Sequence, residues 1–266
     1  MHISKKNVLG ILISPSTYND AVQFIIGASQ ERRSAAISAL AVHGVMTGVL
    51  DREHKFRLNQ FDLLLPDGQP VRWALNLLHK SRLTDRVYGP TLMLKICERA
   101  AAEGLSIYLY GSTHAVLQVL KESLQKRYPD LLIVGMESSK FRQLTPAERD
   151  EVAARIRCSQ ASILFVGLGC PKQEIFAYEF HKMLDMPIIA VGAAFPFIAG
   201  LLRQAPRWMG DFGLEWLFRL FCEPRRLWRR YVYLNPSYLL LVFLQVVKLA
   251  SFSTKGQSPS SELMLG

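Results

Sequence analysis

Asp67 stands in Leu65-Pro-Asp-Gly68, where an apolar run gives way to turn residues. A carboxylate exposed at the end of a strand can act as general base toward an incoming hydroxyl. The same tripeptide is a common turn in which Asp bonds only its own backbone, so the role needs other support. Gly167-Leu-Gly-Cys-Pro-Lys-Gln-Glu174 is a second candidate, but the third glycine of a dinucleotide fingerprint would fall at Lys172, with Pro171 between. That argues against an NAD site. Gly167 and Gly169 still offer backbone N–H groups, with Lys172 and Gln173 in the following helical turn, which suits a nucleotide or sugar hydroxyl. The alternative is simply a tight strand-to-helix turn. Gly111 and Gly192 close two further strands in the same way. His43, before Gly44, is either a proton carrier or substrate donor, or only a loop residue.

Arg86, in Asp85-Arg-Val-Tyr-Gly89, is a candidate phosphate ligand. Arg219, Arg226 and Arg229 are spaced seven and three apart and would share one helix face if a helix continued through Pro224. Their other reading is a solvated basic face or contacts to lipid headgroups. The chain has no Asp-x-Asp sequence, a common device for holding a metal-diphosphate, so arginines must carry the electrostatic load. Cys97, Cys158, Cys170 and Cys222 form no C-x-x-C pair, and no His cluster has zinc spacing, so a reduced cytosolic chain without a metal site is expected.

The elements that must position these residues are legible in the composition and the periodicity. The 266 residues are 50% hydrophobic and 20% charged, which excludes disorder and low-complexity scaffolds. The formal charge of +10 points to an anionic partner: nucleic acid, a membrane surface or a phosphorylated substrate. Short apolar runs at 36–42, 63–65, 105–110, 131–134, 163–166 and 187–191 alternate with helical periodicity. Thr17 with Asp20 resembles a capping box, and Thr145-Pro-Ala-Glu148 combines an N-cap, Pro at the first helical position and Glu in the first turn, so each opens a helix. The expected fold is α/β, a Rossmann-like, mostly parallel sheet with flanking helices. Ligands of such sheets bind at the carboxyl ends of the strands.

Residues 1–200 are assigned to this catalytic domain, with 8–13 as its first strand and no signal peptide. Residues 201–252 form a basic helical appendage. Between Arg203 and Arg230 seven Arg face three acidic residues, and Trp208, Trp216 and Trp228 lie among them. The apolar stretch 238–252 is interrupted by Gln245 and Lys248 and is shorter than the roughly 20 residues a spanning helix needs. It reads as an interfacial, membrane-docking helix. Residues 253–266 are small and polar, and disorder is expected there. Nucleic acid is set aside, since the aromatics accompany an apolar segment and not a nucleic-acid motif.

In order along the chain, Leu65-Pro-Asp-Gly68, Arg86-Val-Tyr-Gly89, Val166-Gly-Leu-Gly-Cys-Pro-Lys-Gln-Glu174, Val191-Gly-Ala-Ala-Phe195, Gln204-Ala-Pro-Arg-Trp208 and Gly213-Leu-Glu-Trp-Leu-Phe-Arg-Leu220 resemble the WecG/TagA/CpsF glycosyltransferases, glycosyltransferase family 26. The resemblance implies inverting, metal-independent and cofactor-free transfer of a sugar from a UDP-sugar to a polyprenyl-diphosphate-linked saccharide. It places the protein peripherally on the cytoplasmic face of a bacterial membrane, in exopolysaccharide or surface-glycan synthesis. It assigns Asp67 as the base, Arg86 and Gln173 to the substrate pocket, and Arg219, Arg226 and Arg229 to the UDP leaving group. Expected partners are therefore a UDP-sugar, the lipid-linked acceptor and an anionic membrane surface; a homo-oligomer stays open. Two departures stand out. Ala41-Val-His-Gly44 replaces a family Thr-Pro-Asn segment, with His43 as its stand-in, and Pro196 sits where an Asp is expected. Pro196 motivates the alternative of a non-catalytic binding or assembly module at the membrane.

Overall fold

The computed structural model describes residues 3–261 and 266. The chain begins with an antiparallel hairpin, β1 (Lys6–Val8) and β2 (Ile11–Ile13), outside the main sheet. The single strand expected over 8–13 is split. Leu9 and Gly10 both have positive φ, 55° and 86°, the signature of a two-residue hairpin turn that matches strand twist. Helix α1 (Tyr18–Gln30) follows, opened by the Thr17–Asp20 capping box. Next come β3 (Ala35–Leu40), α2 (Val42–Leu50), α3 (Arg52–Gln60), β4 (Leu63–Pro66) and α4 (Gln69–His79). β3 stops two residues before its expected end because Val42 and His43 already belong to the first turn of α2.

The rest of the body is α5 (Gly89–Ala102), β5 (Ser106–Gly111), α6 (His114–Arg127), β6 (Leu132–Glu137), α7 (Pro146–Cys158), β7 (Ile163–Gly167), α8 (Lys172–Phe180), β8 (Pro187–Ala190) and α9 (Ala194–Ile198). The strands form one parallel six-stranded sheet in the order β4-β3-β8-β7-β5-β6. Its central strands are nearly continuous apolar runs because helices cover both faces. Ile37, Leu65, Leu109, Phe165 and Ile189 pack with α1, α5 and α6 on one face. Their alternating neighbours Ala36, Leu64, Tyr110, Val166 and Ile188 pack with α2, α3, α4, α7 and α8 on the other. The period of two along each strand and the doubly wound layers are thus one fact. The α/β reading holds.

Beyond the body lie α10 (Arg207–Asp211), α11 (Glu215–Cys222) and α12 (Pro224–Val246). The helix does not continue across residue 223, so Arg219 and Arg229 sit on different helices and do not share one face. α12 is 23 residues long and passes through Pro236. Leu227, Tyr231, Tyr238 and Val242 form its buried stripe, at helical spacing. Tyr238 and Val242 join the core where α12 crosses α2 and α4, Tyr231 meets the Trp216 ring of α11 at 5.8 Å, and the Tyr238 hydroxyl donates to the Pro70 carbonyl at 3.2 Å. Trp228, Val232, Leu239, Leu240 and Phe243 form an opposite stripe that is exposed. Among the described residues no helix is long and apolar enough to cross a membrane.

The segment after residue 252, expected to lack structure, runs along the hairpin and α3. The Asn7 amide donates to the Phe252 carbonyl at 2.8 Å, and the Asn59 amide to that of Thr254 at 2.8 Å. The Gln257 N–H donates to Arg52 O at 2.9 Å. Small polar residues allow this close run, because their backbone groups find partners on the body.

Candidate active site

Asp67 follows β4, the edge strand, and its backbone N–H donates to Leu40 O on β3 at 3.2 Å. Gly68, at φ 94°, then turns the chain sharply into α4. This fixes the carboxyl at the carboxyl end of the sheet, where the sequence placed it. It faces the start of α5, and the Gly89 N–H donates to it. A side chain at Gly89 would crowd this approach: an added Cβ would lie 3.4 Å from Val191 O and 3.8 Å from Asp67 Oδ2.

A cavity of about 320 Å³ opens over Asp67. The body lines it with Ala41, Val42 and His43 at the start of α2, with Gly68, Gln69 and Trp73 on α4, and with Arg86 and Tyr88. The appendage supplies the other wall, including Glu215, Trp216 and Arg219 from α11 and Tyr231, Asn235 and Tyr238 from α12. The site therefore sits between the sheet and the appendage.

Four charged groups define its electrostatics. Burial pushes the Asp67 carboxyl up to about 7; Arg86, the Gly89 N–H and Arg219 resist that rise, and Glu215 adds to it. Arg86 pairs with Glu215, both largely buried, so a body loop is tied to α11. Burial works against the Arg86 charge, but Asp67 and Glu215 outweigh it and its pKa is raised. The guanidinium also lies 4.6 Å from the Tyr88 ring centroid. Arg219 lies 5.6 Å from the ring centroid of Phe197. The outcome is a carboxyl poised near neutrality beside two cations, in a partly dry recess where such charges act strongly.

Of the residues singled out in the sequence, His43, Asp67, Arg86 and Arg219 converge on this cavity. Arg229 does not: it is exposed and stacks on its neighbour Trp228 at 5.3 Å. The side chain of Arg226 lies outside the described residues. The glycine-turn group gathers instead at the ends of β5, β7 and β8. An added Cβ at Gly111 would come within 2.9 Å of Gly167 C, one at Gly167 within 2.5 Å of the Phe195 ring, and one at Gly192 within 2.9 Å of Gln173 Oε1. These three glycines are needed for close packing.

Gln173 is buried rather than lining the cavity. Its Oε1 accepts from the Gly169 N–H at 3.2 Å, and its amide N–H donates to Glu174 at 2.8 Å. Only Gly169, with open space at its Cβ position, and exposed Lys172 face outward.

Glu215, Tyr88 and Gln69 line the cavity without being candidates on sequence grounds; in the sequence Glu215 offsets the arginines in the charge balance and lies inside the Gly213-Leu-Glu-Trp block. Gln69 is buried, and its amide oxygen has no hydrogen-bond partner among the described residues. An acceptor left bare in a cavity wall suits a substrate donor. Of the two departures noted, Ala41 and His43 lie in the cavity wall, whereas Pro196 lies within α9 away from it.

Residues 6–251 match the model of the Glycosyl transferase WecG/TagA/CpsF family. A Bacillus subtilis (strain 168) protein named N-acetylglucosaminyldiphosphoundecaprenol N-acetyl-beta-D-mannosaminyltransferase is 27% identical over 226 residues, 85% of each chain. A protein of the same name from Bacillus spizizenii (strain ATCC 23059 / NRRL B-14472 / W23) is 28% identical over 186 residues, 70% of this chain and 69% of that one.

Proposed function

The chain belongs to the glycosyl transferase WecG/TagA/CpsF family and is a glycosyltransferase, and from that premise we propose a UDP-sugar donor and a polyprenyl-diphosphate-linked N-acetylglucosamine acceptor. The names of the two relatives support this acceptor. The reading rests on one observation: a carboxyl raised to about 7 beside Arg86 and Arg219, at the floor of a cavity roofed by a basic appendage. Asp67 in its ionised form takes the proton of the acceptor hydroxyl as that oxygen attacks the anomeric carbon. The bond from the anomeric carbon to the UDP oxygen breaks, and the departing diphosphate takes the electron pair. Attack opposite the leaving group inverts the configuration.

Arg219 is the cation placed to meet the charge that develops on the diphosphate. Preorganised cations of this kind can supply what a metal would otherwise supply. Arg86 is held by Glu215 and keeps its charge toward Asp67 and the incoming phosphates. The donor's uridine lies toward the outward-facing Gly169 and Lys172.

The acceptor is a lipid, so the enzyme must work at a bilayer. Besides the exposed stripe of α12, the appendage exposes Phe221 at 77% and Phe212 at 71%, and Arg203, Arg225 and Arg229 are exposed too. Apolar and cationic side chains together suit an anionic, cytoplasmic membrane face. The test is transfer by the full chain in detergent, offered a panel of UDP-sugars and the lipid-linked acceptor. A single inverted product is expected, at a rate unchanged by added Mg²⁺ or Mn²⁺. No product from any UDP-sugar, or a rate that depends on either ion, overturns the reading.

A further inference from the structure

Away from the cavity, three side chains from two distant parts of the chain meet between α3 and the β7–α8 turn. His54 lies in the first turn of α3, Cys170 in the turn after β7, and Glu174 in the first turn of α8. Their candidate ligand atoms all lie within 4.8 Å of one another. His54 and Glu174 are each 1% exposed. Among the described residues both ring nitrogens of His54 are buried without a hydrogen-bond partner, and so is one Glu174 oxygen, Oε2. The other, Oε1, is engaged by the Ser38 hydroxyl at 2.9 Å and the Gln173 amide at 2.8 Å. A buried imidazole with two bare nitrogens beside a half-satisfied carboxyl is a donor set that lacks its acceptor.

We propose that His54, Cys170 and Glu174 bind a thiophilic divalent ion of the zinc type, which staples α3 to the β7–α8 turn. One nitrogen, one sulfur and one carboxylate oxygen, with a fourth position for water, suit tetrahedral zinc and do not suit Mg²⁺ or Ca²⁺. The Cys170 S–H donates to Glu174. On binding, the Cys170 proton and any proton on Glu174 leave to solvent and the sulfur and oxygen bond the ion, with no redox step. Arg57, one turn along α3, is the opposing cation. It lies 3.7 Å from Glu53 and 3.6 Å from Glu179, so its charge is largely met.

Cys170 is partly exposed, which gives the ion a way in. An added Cβ at Gly44 on α2 would lie 3.6 Å from its sulfur, so the cluster abuts the helix whose first turn carries His43. None of its residues lines the cavity, so the ion holds the wall and does not join the reaction.

The test uses the full chain, stripped with a chelator and titrated with Co²⁺, which reports thiolate ligation by charge-transfer absorption. About one equivalent is expected to give that band together with tetrahedral d–d bands, and Zn²⁺ is expected to displace it. Cys170→Ser, at a partly exposed position, should fold and lose the charge-transfer band. His54→Gln should weaken Co²⁺ binding at least about tenfold. Zn²⁺ should raise the melting temperature of the parent chain and not that of Cys170→Ser. No band at stoichiometric Co²⁺, or a band that survives in folded Cys170→Ser, overturns the proposal.

Discussion

Asp67 and Glu174 each follow a strand of the same parallel sheet, and burial raises the pKa of both. Their surroundings put them to opposite use. Asp67 is preceded by an edge strand and followed by Gly68 at positive φ, so its carboxyl stands over a cavity and meets cations from the body and the appendage. Glu174 follows the interior strand β7 and is walled in; Ser38 and Gln173 satisfy one oxygen while α3 covers the other side. An acid at the end of a strand is thus not a site by position. What separates the two is whether the next layer leaves space and supplies charge.

The largest expected break in this comparison is Asp67→Asn. It keeps the shape of the turn and removes the base, so transfer should fall by about 10³-fold or more while UDP binding persists. Product formation measured with the lipid-linked acceptor checks it, and near-normal turnover would remove Asp67 from the chemistry. In the parent enzyme the rate should rise as pH passes through about 7, since the ionised form is the active one. That rise should vanish with the carboxylate.

Arg219→Ala comes next. It deletes a cation from the roof and leaves the sheet untouched, so kcat should drop by about 10²-fold with little change in melting temperature. An unchanged kcat with raised KM would mean that Arg219 only binds the ground state.

Gly192→Ala tests the walled-in side. Its φ is 50°, and the new methyl would press on Gln173 Oε1 at 2.9 Å, so the hydrogen bonds to Gly169 and Glu174 must shift. A loss of about 1–3 kcal/mol in unfolding free energy is expected. Denaturant titration measures it, and a neutral result would show that the Gln173 bridge yields easily.

The different readouts explain what could be foreseen. Strand and helix existence was legible because burial on both faces writes continuous apolar runs, and because Thr17–Asp20 and Thr145–Glu148 are local signals. Asp67, Arg86 and Arg219 stand in the family blocks, and the fold brings all three to one cavity. Gln173 carries the same kind of signal but supports the turn by hydrogen bonds, a distinction that needs three-dimensional neighbours. The split at Leu9–Gly10 was hidden, since a non-glycine residue at positive φ leaves little trace in sequence. His54 and Cys170 are 116 positions apart in the chain, so no spacing rule could join them.

The smallest effect tests what holding a buried acid costs the fold. Burial pushes the Asp67 pKa up to about 7 in the folded chain, against an ordinary value of 3.8, so between those values the folded state holds more proton than the unfolded one. Stability must then fall as pH rises from about 4 to about 7, and the deficit persists above that. Asn carries no such penalty. The melting temperature of Asp67→Asn should therefore exceed that of the parent by a gap that widens across this range, reaching roughly 5–10 °C at the alkaline end. The value of about 7 already includes the pull of Arg86 and Arg219 toward the carboxylate. Scanning calorimetry at several pH values measures it. A gap that is constant with pH would mean that the Asp67 carboxyl ionises as easily in the fold as in the open chain, and the contrast with Glu174 would then rest on geometry alone.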